Sequence, residues 1–211
     1  MKLKVCGNIL PEQVNALDEM GVQFAGFIFY PSSLRNMRQK ISPEKMKQIK
    51  GRIAKVGVFN DTPYEEVMKT VEAYRLDMVQ LNGDEDPRYC ERIADYISVI
   101  KVFRLTGENE PASLTEPYND VCEFFMFKSP GSENARSIKK INWEFLNSFS
   151  SPKAFFLAGG IEAGDTERIK EFSKSPAGEK LFAVDINSRF EINPGVKDIN
   201  KIRNFFTKLN S

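Results

Sequence analysis

Three segments of this chain carry side chains suited to chemistry. Gly159-Gly160, just ahead of a helix start near Gly164, lets the backbone approach a ligand closely and aims free N–H groups at an anion. Asp185-Ile186-Asn187-Ser188 would complete such a phosphate site, with Asn187 and Ser188 supplying donors. Cys6, beside Gly7, offers a thiol that can act as a thiolate base, and burial as a packing residue is the competing reading. Cys90, within a helical pattern, and Cys122, near a strand start, read as core.

Composition narrows what these groups can do. The chain holds 0 histidines, which removes Ser-His-Asp and Cys-His hydrolases, histidine-ligated zinc and imidazole acid–base catalysis. Its 3 cysteines form no CxxC pair and leave an odd thiol, against a disulfide framework or a cysteine metal site, so no metal is expected. With 30 Lys and Arg against 29 Asp and Glu the formal charge is +1, and no block of like charge marks a nucleic-acid arm. The start MKLKVCGNIL has no apolar signal core, and no stretch approaches the roughly 20 apolar residues of a membrane span. The expectation is a cytoplasmic protein whose partner is a small anionic molecule, with neither nucleic acid nor membrane.

Something must position these groups, and the hydrophobic pattern says what. Short apolar runs at Leu3–Cys6, Phe24–Phe29, Ala54–Phe59, Met78–Leu81, Val99–Leu105, Phe124–Phe127, Ala154–Leu157 and Phe182–Ile186 alternate with segments of helical period. Helix starts are signalled at Pro11, Ser42-Pro43-Glu44, Thr62-Pro63, Asp86-Pro87 and Asp165, and Val14, Leu17 and Gly21 give one helix its apolar face and its stop. Ile199, Ile202, Phe205, Phe206 and Leu209 form a closing helix. Two polar stretches, Leu105–Tyr118 and Ser129–Asn142, interrupt the rhythm. Eight strands spaced about 26 residues apart predict an α/β protein, a (β/α)8 TIM barrel filling residues 1–211 as one domain, with a doubly wound open sheet as the competitor.

In a barrel the chemistry sits where strands end. That rule selects Cys6-Gly7, Tyr30 through Arg35, Asn60-Asp61, Asn82 through Glu85, Arg104, Lys128, Ala158-Gly159-Gly160 and Asp185 through Ser188.

Taken in order, these segments resemble the phosphoribosylanthranilate isomerase family across nearly the whole chain. Lys4-Val5-Cys6-Gly7 is similar to that family's opening, and Gly26 through Arg35 to its second-strand segment. Val56-Gly57-Val58-Phe59, Val79 through Glu85, Leu157 through Ile161, Val184 through Glu191 and Pro194 through Asp198 resemble its later motifs. The resemblance implies the Amadori rearrangement of N-(phosphoribosyl)anthranilate to a carboxyphenylamino-deoxyribulose phosphate in tryptophan biosynthesis, without cofactor or metal. It implies that Cys6 is the general base, that Arg35 binds the anthranilate carboxylate, that Asp185 contacts substrate, and that the phosphate lies on Gly159, Gly160, Asn187 and Ser188. A monomer or homodimer is expected.

Departures fall mainly in one loop. The family's general acid is an aspartate ending the sixth strand, and Lys128 stands there; Ala135 through Lys139 replaces its glycine-rich loop, and Asn82 replaces a histidine. Loss of a positioned acid typically costs about 10²- to 10⁴-fold in rate. The sequence therefore supports a slowed isomerase, with a sugar-phosphate-binding barrel lacking turnover and a Lys128 Schiff-base enzyme as the alternatives.

Overall fold

The structure is a computed structural model that describes residues 1–38, 40–105, 110–128, 146, 149 and 151–211. Strands β1 (Lys2–Val5), β2 (Phe24–Ile28), β3 (Ala54–Phe59), β4 (Met78–Leu81), β5 (Ser98–Arg104), β6 (Phe124–Lys128), β7 (Phe155–Leu157) and β8 (Leu181–Ile186) form a closed parallel barrel in chain order. Each begins and ends within one residue of its apolar run. The seam between β1 and β8, with Lys4 opposite Asp185, excludes the open sheet.

Helices α1 (Pro11–Glu19), α2 (Pro43–Met46), α3 (Tyr64–Tyr74), α4 (Pro87–Ala94), α5 (Pro111–Thr115), α6 (Thr166–Ser173) and α7 (Ile199–Asn210) cover the barrel. Their starts follow local chemistry. The side chains of Ser42, Asp86 and Asp198 accept from the backbone N–H groups of Lys45, Tyr89 and Lys201, satisfying donors that a first turn leaves open. Gly21, at φ +81°, ends the turn after α1 as expected. In α7 the stripe Ile202, Phe205 and Leu209 is buried.

Three features add to the sequence reading. The helix after β2 is four residues long, and the chain beyond Lys47 buries Ile49 and Ile53 outside regular structure. The stretch from Leu105 to Tyr118 holds α5 and a 3-10 turn at Glu116–Tyr118; Thr115 is their one buried residue, too little to show a helical period in sequence. A hairpin of β9 (Glu191–Asn193) and β10 (Val196–Lys197) follows β8, turning at Gly195 with φ +84°. The second polar stretch, Ser129–Asn142, with the Ala135–Lys139 segment, lies outside the described residues.

Because strand side chains alternate, every second residue points into the barrel. Phe24, Val56, Met78, Ile100, Val102, Met126, Phe156, Ala158 and Ala183 pack there as one cluster. Phe24, Phe124 and Phe182 surround Phe156 with ring centroids 5.4 to 5.7 Å away, plugging the floor. The same alternation, carried to the strand ends, brings Cys6, Ile28, Val58, Gln80, Met126, Lys128, Ala158 and Asp185 to a single opening. No helix among the described residues is long and apolar enough to cross a membrane.

Candidate active site

The opening is a cavity of about 160 Å³, continuous with solvent at the C-terminal ends of the strands. Its wall includes every residue given a role from the sequence, Cys6, Arg35, Lys128, Gly159, Gly160, Asp185, Asn187 and Ser188, whereas Asn60, Asp61 and Arg104, also at strand ends, do not line it.

Cys6 follows β1, its N–H donating to Ile186 O at 2.9 Å, and is 4% exposed. Burial pushes its thiol above the ordinary range; Asp185 pushes the same way, and Lys4 and Lys197 offset this only in part. Gly7 takes φ +76°, and a Cβ there would lie 2.7 Å from Arg35 Cδ and 2.8 Å from Asn187 Oδ1. Its missing side chain lets Arg35 and Asn187 close on the base from two sides.

Arg35 comes from the loop after β2. Its Nε donates to Glu191 Oε1 and Oε2 at 2.9 and 3.0 Å, and its Nη2 to Oε2 at 2.6 Å. Lys197 Nζ, fully buried, donates to Glu191 Oε1 at 2.7 Å and to Asn187 Oδ1 at 2.9 Å. Burial pushes the Glu191 carboxyl up, but Arg35 and Lys197 outweigh it and hold the group below the usual glutamate range. For Lys197, burial wins and the ammonium lies below the usual lysine range. The hairpin absent from the sequence reading is therefore the brace of this wall: it carries Glu191 and Lys197 to Arg35 and Asn187.

Asp185, on β8, accepts from Lys4 Nζ at 2.7 Å, and the Lys4 side chain is wholly enclosed. Gly159 and Gly160 have φ +100° and +68°, conformations in which glycine exposes the backbone to the cavity. The helix after them does not join in. It opens with a 3-10 turn at Ala163–Asp165 whose ends are tied by a reciprocal cap, Glu162 N–H donating to Asp165 Oδ2 at 2.9 Å, and the loop lines the cavity only through Ile161. Of the anion site read from sequence, the two glycines, Asn187 and Ser188 line the cavity, whereas residues 162–165 do not.

Lys128 ends β6 beside Arg104 of β5, half-buried on the cavity wall. Sequence reasoning assigned no role to Gln80, Lys4, Glu191 or Lys197. Gln80 Nε2 donates to Asn82 Oδ1 at 2.9 Å, while its buried Oε1 takes no hydrogen bond from a described residue. The available signal was parity: Lys4 and Gln80 are polar residues at inward positions of otherwise apolar runs.

Comparison with known proteins agrees with this geometry. The family model for N-(5'phosphoribosyl)anthranilate (PRA) isomerase matches residues 3–208. The N-(5'-phosphoribosyl)anthranilate isomerase of Oceanobacillus iheyensis is 33% identical over 99% of this chain and 97% of its own length, and that of Phocaeicola vulgatus is 31% identical over 99% and 98%. Among solved structures, phosphoribosyl anthranilate isomerase from Thermotoga maritima superposes with a TM-score of 0.82 at 27% identity, covering 100% of this chain and 98% of its own. With the barrel closed, the site residues gathered in one cavity and the family model matched nearly end to end, the chain belongs to the N-(5'-phosphoribosyl)anthranilate isomerase family.

Proposed function

We propose that this chain is the isomerase of tryptophan biosynthesis that converts N-(phosphoribosyl)anthranilate to the carboxyphenylamino-deoxyribulose phosphate, with Cys6 as base and Lys128 as acid. The observation that carries the reading is that the Cys6 thiol and the Lys128 side chain line one cavity together with Gly159, Gly160, Asn187 and Ser188, residues suited to holding an anion. A solved structure of the family, 25% identical to this chain, is a complex with reduced 1-(o-carboxyphenylamino)-1-deoxyribulose 5-phosphate. That molecule carries the phosphate and the aromatic carboxylate that such a cavity must hold.

The chemistry is a proton relay. The Lys128 ammonium gives a proton to the ribose ring oxygen, the C1'–O4' bond breaks, and the anilinic nitrogen stabilises the resulting Schiff base. The Cys6 thiolate takes the C2' proton, and the electron pair moves to form the enolamine. Returning one proton to C1' from the thiol and one to the Lys128 amine from the C2' hydroxyl yields the aminoketose and restores both groups. Arg35 receives the anthranilate carboxylate, Asp185 contacts the sugar, and the buried position of Cys6 strengthens it as a base while lowering its thiolate fraction.

The test is loss of anthranilate-type fluorescence on mixing with freshly made phosphoribosylanthranilate. Wild type should turn over and Cys6→Ala should not; full activity in Cys6→Ala would refute the assignment. Lys128, standing where relatives of this pattern carry a carboxylic acid, favours one second reading: a barrel that binds the sugar phosphate without turnover. Tight binding of the reduced product analogue with no turnover by wild type would establish it.

A further inference from the structure

We infer that Lys4 is a positioning residue for Cys6: its ammonium, pinned by Asp185, is the counter-charge against which the thiolate forms. The inference rests on the isomerase reading in making Cys6 a base, but it concerns a residue that does not line the cavity and acts only through its neighbours.

The geometry begins with parity. Lys4 and Cys6 stand two residues apart on the first strand and its end, so both point into the barrel, Lys4 one layer below the opening. The Lys4 side chain is 0% exposed, and its Nζ lies 2.7 Å from Asp185 Oδ1 across the β1–β8 seam. Gly26, on β2, leaves the space between ammonium and thiol open. A Cβ built there would lie 2.8 Å from Cys6 Sγ and 3.0 Å from Lys4 Nζ, so both atoms crowd a volume that any other residue would occupy.

Energetics argue against a purely structural pair. A buried ion pair carries a desolvation cost, and replacing one with apolar residues of similar volume is often neutral or stabilising. The layer beneath is built that way, from Phe24, Phe156 and Ala183. What an ammonium supplies here, and a methionine would not, is charge. Four charged groups bear on the thiol: Lys4 from β1, Asp185 from β8, Lys197 from β10 and Arg35 from the loop after β2, with Lys128 farther round the wall. Asp185 opposes the thiolate and Lys4 neutralises Asp185 while favouring the thiolate, so removing Lys4 acts twice in one direction. Burial alone would push the Lys4 ammonium down, yet Asp185 and Cys6 outweigh it and keep the proton in place.

The experiment is alkylation of Cys6 by iodoacetamide from about pH 6 to about pH 11, spanning the ordinary thiol range. The mass of the Cys6 peptide is followed in wild type, Lys4→Met and Asp185→Asn. Lys4→Met should move the midpoint upward by at least about one unit, a tenfold loss of thiolate at fixed pH, and should move the rising limb of kcat/KM with it. Asp185→Asn should move the midpoint down. A folded Lys4→Met protein with the wild-type midpoint overturns the inference, because a structural role would change melting and not titration. Should Lys4→Met fail to fold, Lys4→Gln decides, and a midpoint unmoved or lowered there overturns it equally. Alkylation needs no turnover. Midpoints that shift as stated in a protein without isomerase activity would uphold the pairing and refute the isomerase reading instead.

Discussion

Replacing Glu191 with glutamine keeps the side chain's shape and removes its charge, and the structure sets the size of the effect. The carboxylate accepts three bonds from Arg35, one from Lys197 at 2.7 Å and one from Gly195 N–H at 3.0 Å, with its side chain 4% exposed. Its neutralisation leaves two buried cations facing an amide. Breaking a buried ion pair from one side typically costs about 3–5 kcal/mol. In a domain of this length each kcal/mol lowers Tm by about 2–4 °C, so Glu191→Gln should melt about 6–20 °C below wild type near neutral pH. The sign of the pH dependence follows from the folded carboxyl lying below its unfolded value. Its stabilisation is complete above the ordinary glutamate range, about pH 4.3, and is lost as pH falls through the folded value. The Tm gap between wild type and variant must therefore narrow on acidification below that range. Differential scanning fluorimetry at a series of pH values measures both. A gap under about 3 °C at neutral pH, or one that widens on acidification, refutes the reasoning.

Cys6, raised by burial, should give a kcat/KM that still climbs through the ordinary thiol range near pH 8.5; a plateau reached below about pH 8 contradicts that. Lys128→Met should lower kcat by about 10²- to 10⁴-fold with KM little changed, while Lys128→Asp, which restores a carboxylic acid, should match or exceed wild type. Equal activity of Lys128→Met and wild type removes Lys128 from the mechanism. Phosphate or a sugar phosphate at about 100 times its Kd should stabilise the fold by about 2.7 kcal/mol, read as a rise in Tm of about 5–11 °C, and no shift at millimolar ligand would mean that Gly159, Gly160, Asn187 and Ser188 form no anion site.

How legible the molecule was depends on the length scale of the determinant. Each strand announced itself because Phe24 through Phe29 or Val99 through Leu105 is an apolar run bounded by polar residues, and strand count with spacing then implied closure. Cys6, Arg35, Lys128, Asp185 and Ser188 were selected because strand ends are where a barrel displays chemistry, and all five line the one cavity described. What escaped were groups whose role exists only across the chain. Glu191 and Lys197 meet Arg35 through a hairpin too short for period-2 alternation to show. Parity alone marks Lys4 as inward in KLKV, but its partner is known only once Asp185 stands opposite. The helix start near Gly164 was legible, but its cap was not, because Glu162 and Asp165 are three apart in a polar stretch and nothing local says that they close on each other.

The β1–β8 seam has a consequence for the order in which the protein comes to exist. Lys4 meets Asp185, Gln13 exchanges hydrogen bonds with Lys197, and Arg35 meets Glu191, so the first sixth of the chain waits for the last sixth. A ribosome that has released the first seven strands has released Lys4 and Arg35, yet neither has met its carboxylate. The chemistry switches on at the moment of ring closure and at no earlier stage. Two fragments cut between β7 and β8 should each be silent alone, and the recovery of turnover on mixing them would time closure itself.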